Sequence, residues 1–157
     1  MSSHPLPDAD MLSPLDVAQI AGLYAVQALL MVEAKAWAAR IAQLNELAAL
    51  SERQQRAGVP QFRALELAGS WNVGQVTAER WLGEADRFAT ALPITLAMLE
   101  AGALLCHQAS VLLHRTSGCT PEVARAVEAE VLPQGARLCP SDLGRRIDRV
   151  RLRLGSE

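Results

Sequence analysis

Residues 13–60 read SPLDVAQIAGLYAVQALLMVEAKAWAARIAQLNELAALSERQQRAGVP. Ser13 suits the N-cap of a helix, Pro14 its first position, and Asp16 the positive end of its dipole. No proline follows until Pro60, where the Gly-Val-Pro run of residues 58–60 ends the helical pattern. The sequence therefore predicts one helix over residues 14–57, several times longer than the mean of about 11–12 residues.

Apolar residues recur along this helix at spacings near three and four, which places them in one stripe. The stripe consists of Leu23, Val26, Leu30, Trp37, Ile41, Leu44 and Ala48. A helix this long and this broadly apolar usually packs on more than one partner. Self-association through helix 14–57 is therefore one of the two partner hypotheses that the sequence supports.

The most apolar part of the helix, residues 17–32, is rich in alanine and is interrupted by Gln19 and Gln27. It is shorter than the roughly 20 residues that a membrane-spanning helix needs, and it is only weakly hydrophobic. We interpret it as a buried helix and predict no membrane partner.

The rest of the chain also has a helical composition. Alanine and leucine make up about a third of the residues, and aromatic residues only 4%. Six further helices are predicted, over residues 61–70, 74–91, 93–102, 104–117, 121–133 and 140–154. The predicted fold is all-α, a bundle of about seven helices with a long N-terminal helix. Residues 1–12 form a flexible leader, and residues 13–157 form a single helical domain whose compact part is 60–154.

The two helices over 61–70 and 74–91 have the proportions of a helix-turn-helix pair. Ala68 is small where the helices must approach, and Asn72 tolerates the left-handed conformation that the turn requires. Ala78 and Trp81 would pack the second helix back on the first. In a DNA reader, Gln75, Thr77 and Arg80 would then face the groove.

A structural interpretation of the same pair stays open. Helix pairs with a short turn occur in any compact bundle, and Glu79, Glu84 and Asp86 place acid on or beside the presented helix.

The C-terminal part of the chain concentrates positive charge, although the net charge is −2. The candidate nucleic-acid contacts on the last helix are Arg145, Arg146, Arg149 and Arg153, beside Arg151. Such a cluster could line a phosphate backbone. It could equally offset the dipole at the end of a helix, and Asp142 and Asp148 could pair with Arg146 and with Arg145 or Arg149.

No constellation of residues points to catalysis, a cofactor, a metal ion or a small molecule. His107 and His114 lie about 10.5 Å apart along a helix, too far to share one metal ion. The three cysteines are odd in number and lack a Cys-x-x-Cys spacing, which is typical of reduced thiols in a cytoplasmic protein. We predict a non-enzymatic, cytoplasmic protein.

Three segments carry a resemblance to a known family. They are AGSWNVGQVTAERWLGEADRFATALPITLAMLEAGAL from residue 68, CHQASVLLHRT from residue 106, and TPEVARAVEAEVLPQGARLCPSDLGRRIDRV from residue 120. Their order resembles the 13E12 repeat family of actinobacteria, whose shared region is the domain of unknown function numbered 222. The resemblance covers residues 65–154 and implies the helical region that usually precedes a His-Asn-His (HNH) nuclease domain.

This chain departs from that family in the nuclease part. It has no histidine after His114 and only two asparagines, so no His-Asn-His motif can be assembled. Leu105 and Gln108 stand where the family commonly has serine and histidine, and Cys139 stands where a threonine commonly caps the last helix. We therefore interpret the sequence as that of a truncated or degenerate member of this family.

The first functional hypothesis is therefore a non-catalytic accessory module that associates with DNA. The alternative is a protein–protein interaction or oligomerisation domain with no nucleic-acid role.

Overall fold

In the computed structural model, which describes residues 13–58 and 63–155, the chain forms seven helices and no strand within those ranges. The helices are α1 (Pro14–Arg56), α2 (Arg63–Trp71), α3 (Gln75–Ala91), α4 (Pro93–Ala101), α5 (Cys106–Arg115), α6 (Pro121–Gly135) and α7 (Pro140–Leu154). The predicted all-α bundle with its long N-terminal helix is confirmed. The predicted leader, residues 1–12, lies outside the described ranges, as do residues 61 and 62.

The helix starts follow the local sequence signals. The Ser13 hydroxyl accepts a hydrogen bond from the Asp16 N–H at 3.2 Å, and the Asp16 carboxylate accepts one from the Ser13 N–H at 3.0 Å. Four helices begin with a proline in the first turn, where the missing N–H has no partner to lose. α4 ends at Gly102, which adopts the left-handed conformation with φ 69°.

The predicted end of α6 at Pro133 is wrong, because the helix continues to Gly135. A proline near the C-terminal end of a helix removes only one backbone hydrogen bond, and its fixed φ is compatible with a helix. The remaining turn can therefore include it.

The C-terminal half of α1 packs on α3 and α4 and forms one wall of the core. Trp37 meets Phe88 edge to face, with ring centroids 5.3 Å apart. The Asn45 side-chain amide donates a 3.0 Å hydrogen bond to the Ala85 carbonyl. On the other side of the bundle, α7 packs on α5 and α6.

The N-terminal half of α1 has no partner within the described chain. Every residue from 15 to 29 is exposed, and we call this stretch the uncovered segment. The prediction that residues 17–32 form a buried helix is therefore wrong for the single chain, since only Leu30 and Met31 among them are half-buried. By length and composition alone, α1 also contains an 18-residue window apolar enough to cross a membrane.

Candidate nucleic-acid interface

An open groove between α6 and α7 brings together the four arginines that the sequence singled out on the last helix. The groove has a volume of about 490 Å³. It is lined by Arg145, Arg146, Arg149 and Arg153 of α7, with Asp142, Val150, Glu130 of α6 and Leu138 of the connection. The spacing of these arginines along α7 places them on one side of the helix, beside its buried stripe.

Two of the four arginines are paired with carboxylates. Arg145 forms an ion pair with Asp142, and Arg153 forms one with Glu130 across the groove. Arg146 and Arg149 have no hydrogen bond or ion pair within the described residues. Two guanidinium groups are therefore available for an external anion.

The acid at the start of α7 stays charged at neutral pH. A hydrogen bond from the Cys139 thiol, at 3.1 Å, and the ion pair with Arg145 lower the pKa of Asp142. The groove therefore holds four positive and two negative side chains, which leaves it positive overall.

The predicted pairing of Asp148 with Arg145 or Arg149, and that of Asp142 with Arg146, are wrong. Asp148 bonds Arg115 of α5 at 2.7 Å instead, with Arg151 at 3.7 Å. Asp148 lies on the side of α7 that faces α5, whereas the groove opens toward α6. Arg151 also donates to the Arg115 carbonyl at 3.0 Å, so it links two helices instead of lining the groove.

The local features that the sequence predicted for the turn between α2 and α3, and for the packing beside it, are present. Asn72 adopts the left-handed conformation with φ 52°, and the Val73 N–H donates to the Ala68 carbonyl at 3.1 Å. Ala78 is fully buried, and the Trp81 ring lies 6.0 Å from the Trp71 ring.

Of the three predicted base readers on α3, two are paired with acidic side chains and one is half-buried. The Gln75 amide donates to the Glu79 carboxylate at 2.9 Å, and Arg80 lies 3.9 Å from Glu84. Thr77 is half-buried. Gln75 and Arg80 are therefore already bonded to acidic side chains of the same helix. A phosphate backbone that approached this part of α3 would meet the negative charge of those acids.

The structure does not join the two predicted sets in one site. The groove is formed by α6, α7 and their connection, whereas α3 packs mainly on α1 and α2. Sequence reasoning missed Glu130, because its partner Arg153 lies 23 residues away and no local spacing reveals the pair.

No group of three histidine, cysteine or acidic side chains that could hold a metal ion occurs in the described part of the chain. Among the thiols, burial, followed by the nearby Glu33 carboxylate, raises the pKa of Cys106. A thiol held protonated in this way is a poor nucleophile.

Comparisons of the chain with known protein families, with curated proteins and with solved structures find no match. The resemblance to the 13E12 repeat family stays a prediction drawn from the sequence.

Proposed function

We propose that the chain is a non-catalytic helical accessory module that associates with DNA through the groove between α6 and α7. The observation that supports this proposal is the convergence of four arginines on one groove, two of them without a partner in the described chain. The resemblance to the helical region of HNH-endonuclease-family proteins is consistent with such a role.

Guanidinium groups suit this task because they stay charged and bond two phosphate oxygens at once. Arg146 and Arg149 lie three residues apart on α7, so their side chains project in similar directions. Among the described residues that line the groove, Arg146 and Arg149 are donors without a partner, and such donors bond phosphate oxygens whatever the base sequence. The proposal is therefore for contact with the phosphate backbone, independent of base sequence.

Fluorescence anisotropy with a labelled random duplex of roughly 30 base pairs tests this proposal, at several salt concentrations. Loss of two phosphate contacts in the double variant Arg146→Gln/Arg149→Gln should reduce the salt slope by about 2 and weaken binding at low salt. Arg53→Gln/Arg56→Gln is the matched control, because it removes the same charge from exposed positions at the end of α1.

Equal affinity of the two double variants would refute the groove as the contact surface. Absence of wild-type binding at low salt would refute DNA association itself.

A second candidate function, protein–protein interaction or oligomerisation, is favoured by a different observation. The uncovered segment exposes large apolar side chains along its whole length: Leu15, Val17, Ile20, Leu23, Tyr24, Val26 and Leu29. Contiguous apolar surfaces of this kind mark interaction sites. Light scattering over a wide concentration range tests it, and a monomeric mass throughout would exclude self-association.

A further inference from the structure

The stripe that packs α1 on the bundle continues into the uncovered segment. In the packed half, Ala34, Ile41 and Leu44 are buried. Toward the N-terminus, the same alternating spacing of three and four residues places Leu30, Gln27, Leu23 and Ile20 on this face. One face of a single straight helix is thus covered at one end by α3 and α4 and uncovered at the other.

We infer that a second copy of the chain covers this face, with the two uncovered segments packed antiparallel about a two-fold axis at Leu23. This inference deepens the second candidate function and is independent of DNA association. Leu23 is 72% exposed, the largest exposed fraction among the apolar side chains of the segment. An interface of this kind is isologous, so each residue contact occurs twice.

The length of the uncovered segment agrees with this register. Met31 and Lys35 lie against Gly102 at the end of α4, so the bundle begins near residue 31. Pairing centred on Leu23 places Leu15 of each copy opposite Met31 of the other. Each helix therefore begins at the level where the bundle of the other copy begins, so this register uses the whole uncovered segment. Contact along about 25 Å of helix buries on the order of 1,000 Å², near the lower limit for a specific interface.

The two glutamines agree with the same register. Gln19 and Gln27 are each four residues from Leu23, so antiparallel pairing places Gln19 of one copy opposite Gln27 of the other, twice. Side-chain amides can donate to and accept from each other, and such a polar pair inside an apolar interface selects the register.

The glutamines also favour a second copy over a lipid bilayer. In hydrocarbon, the Gln27 amide would lie within the apolar stretch with no partner, which is unfavourable.

Two pairs of variants test the inference, with molar mass measured by light scattering and sedimentation equilibrium. Leu23→Asp places two carboxylates at the two-fold axis and should weaken dimerisation at least 100-fold. Leu29→Asp is the matched control, since Leu29 is 69% exposed but lies off the stripe, and it should weaken dimerisation less than about threefold. Neither residue contacts the bundle, so at protein concentrations at which the wild type is monomeric both variants should keep its helicity and melting temperature.

The second pair tests the register. Gln19→Glu/Gln27→Lys places opposite charges face to face in both copies and should keep the dimer. Gln19→Glu/Gln27→Glu places like charges face to face and should dissociate it.

The outcomes distinguish the proposed register from self-association itself. A dimer in which Leu29→Asp is as disruptive as Leu23→Asp, or in which the two glutamine double variants behave alike, would overturn the register and leave self-association standing. A wild-type monomer up to about 100 µM would overturn both. Co-sedimentation of that monomer with phosphatidylcholine–phosphatidylglycerol vesicles would show a bilayer as the occupant.

Discussion

Glu128 on α6 is a fully buried carboxylate that caps a different helix. α4 begins at Pro93, and the residue before it, Leu92, has no side-chain acceptor for the first turn. One Glu128 oxygen accepts from the Ile94 N–H at 3.1 Å, and the other accepts from the Thr95 N–H and hydroxyl, each at 2.9 Å. The carboxylate thus satisfies the N–H groups that a helix start leaves without partners.

The substitution Glu128→Gln keeps the size of this side chain and removes one of its acceptors. The amide NH₂ group would face the N–H of Ile94 or Thr95, which leaves one buried donor unsatisfied at a cost of about 1–3 kcal/mol. We therefore expect the free energy of unfolding at pH 7 to fall by about 1–3 kcal/mol and the Tm to fall by about 3–10 °C.

The effect of pH follows from the direction of the pKa shift. Burial raises the pKa of Glu128, and the hydrogen bonds from Thr95 and Ile94 only partly oppose it. A carboxyl whose folded-state pKa is raised contributes stability that is greatest below its unfolded pKa and is lost as the pH rises through the folded value. The stability difference between wild type and Glu128→Gln should therefore narrow as the pH rises above the ordinary carboxyl pKa of about 4.5.

Thermal unfolding followed by circular dichroism measures both effects. Glu33→Gln, on the exposed side of α1 and with no hydrogen bond or ion pair among the described residues, is the control and should melt with the wild type. If Glu128→Gln melts within about 1 °C of the wild type, Glu128 does not hold the start of α4.

Two further predictions concern positions that set local geometry, and urea unfolding measures both. Asn72 has φ 52°, so Asn72→Ala should cost about 1–2 kcal/mol whereas Asn72→Gly should not. Gly69→Ala, inside α2 with open space around its Cβ, is the unstrained control, and equal costs for the two alanine variants would contradict the reasoning. Gln108→Leu should cost about 2–4 kcal/mol, because the Gln108 amide accepts from the Leu105 N–H at 3.1 Å and donates to the Ala136 and Leu138 carbonyls at 3.0 Å. Gln134→Leu on the exposed side of α6 should leave the unfolding midpoint unchanged, and a similar midpoint for Gln108→Leu would show that this amide is dispensable.

Much of the fold was predictable because its signals are local. The Ser13 cap, the four prolines in first turns and the left-handed Asn72 each act within one turn of the chain. Helix number and approximate bounds therefore followed from short-range rules. The arginines of the candidate groove were also predictable, because residues three or four apart on a helix share a face.

The contacts that complete the site could not be predicted from spacing. Glu130 and Arg153 meet because α6 and α7 pack together, and Glu128 reaches α4 from 33 residues away. Pairs of this kind depend on which helices become neighbours. A local pattern shows only that a side chain lies on a face, and does not show what covers that face.

α1 shows most clearly the difference between what local sequence patterns determine and what the packing of the helices determines. By itself, the sequence predicted one helix over residues 14–57 with an apolar stripe along it, because caps and periodicity act through the backbone of the helix itself, and the observed helix is Pro14–Arg56. Only the tertiary structure decided that the bundle covers the C-terminal half of that stripe and leaves Leu15 to Leu29 exposed. The physical reason is that a side chain is buried only where another surface packs on it. The six shorter helices provide such a surface along only part of a helix about 64 Å long.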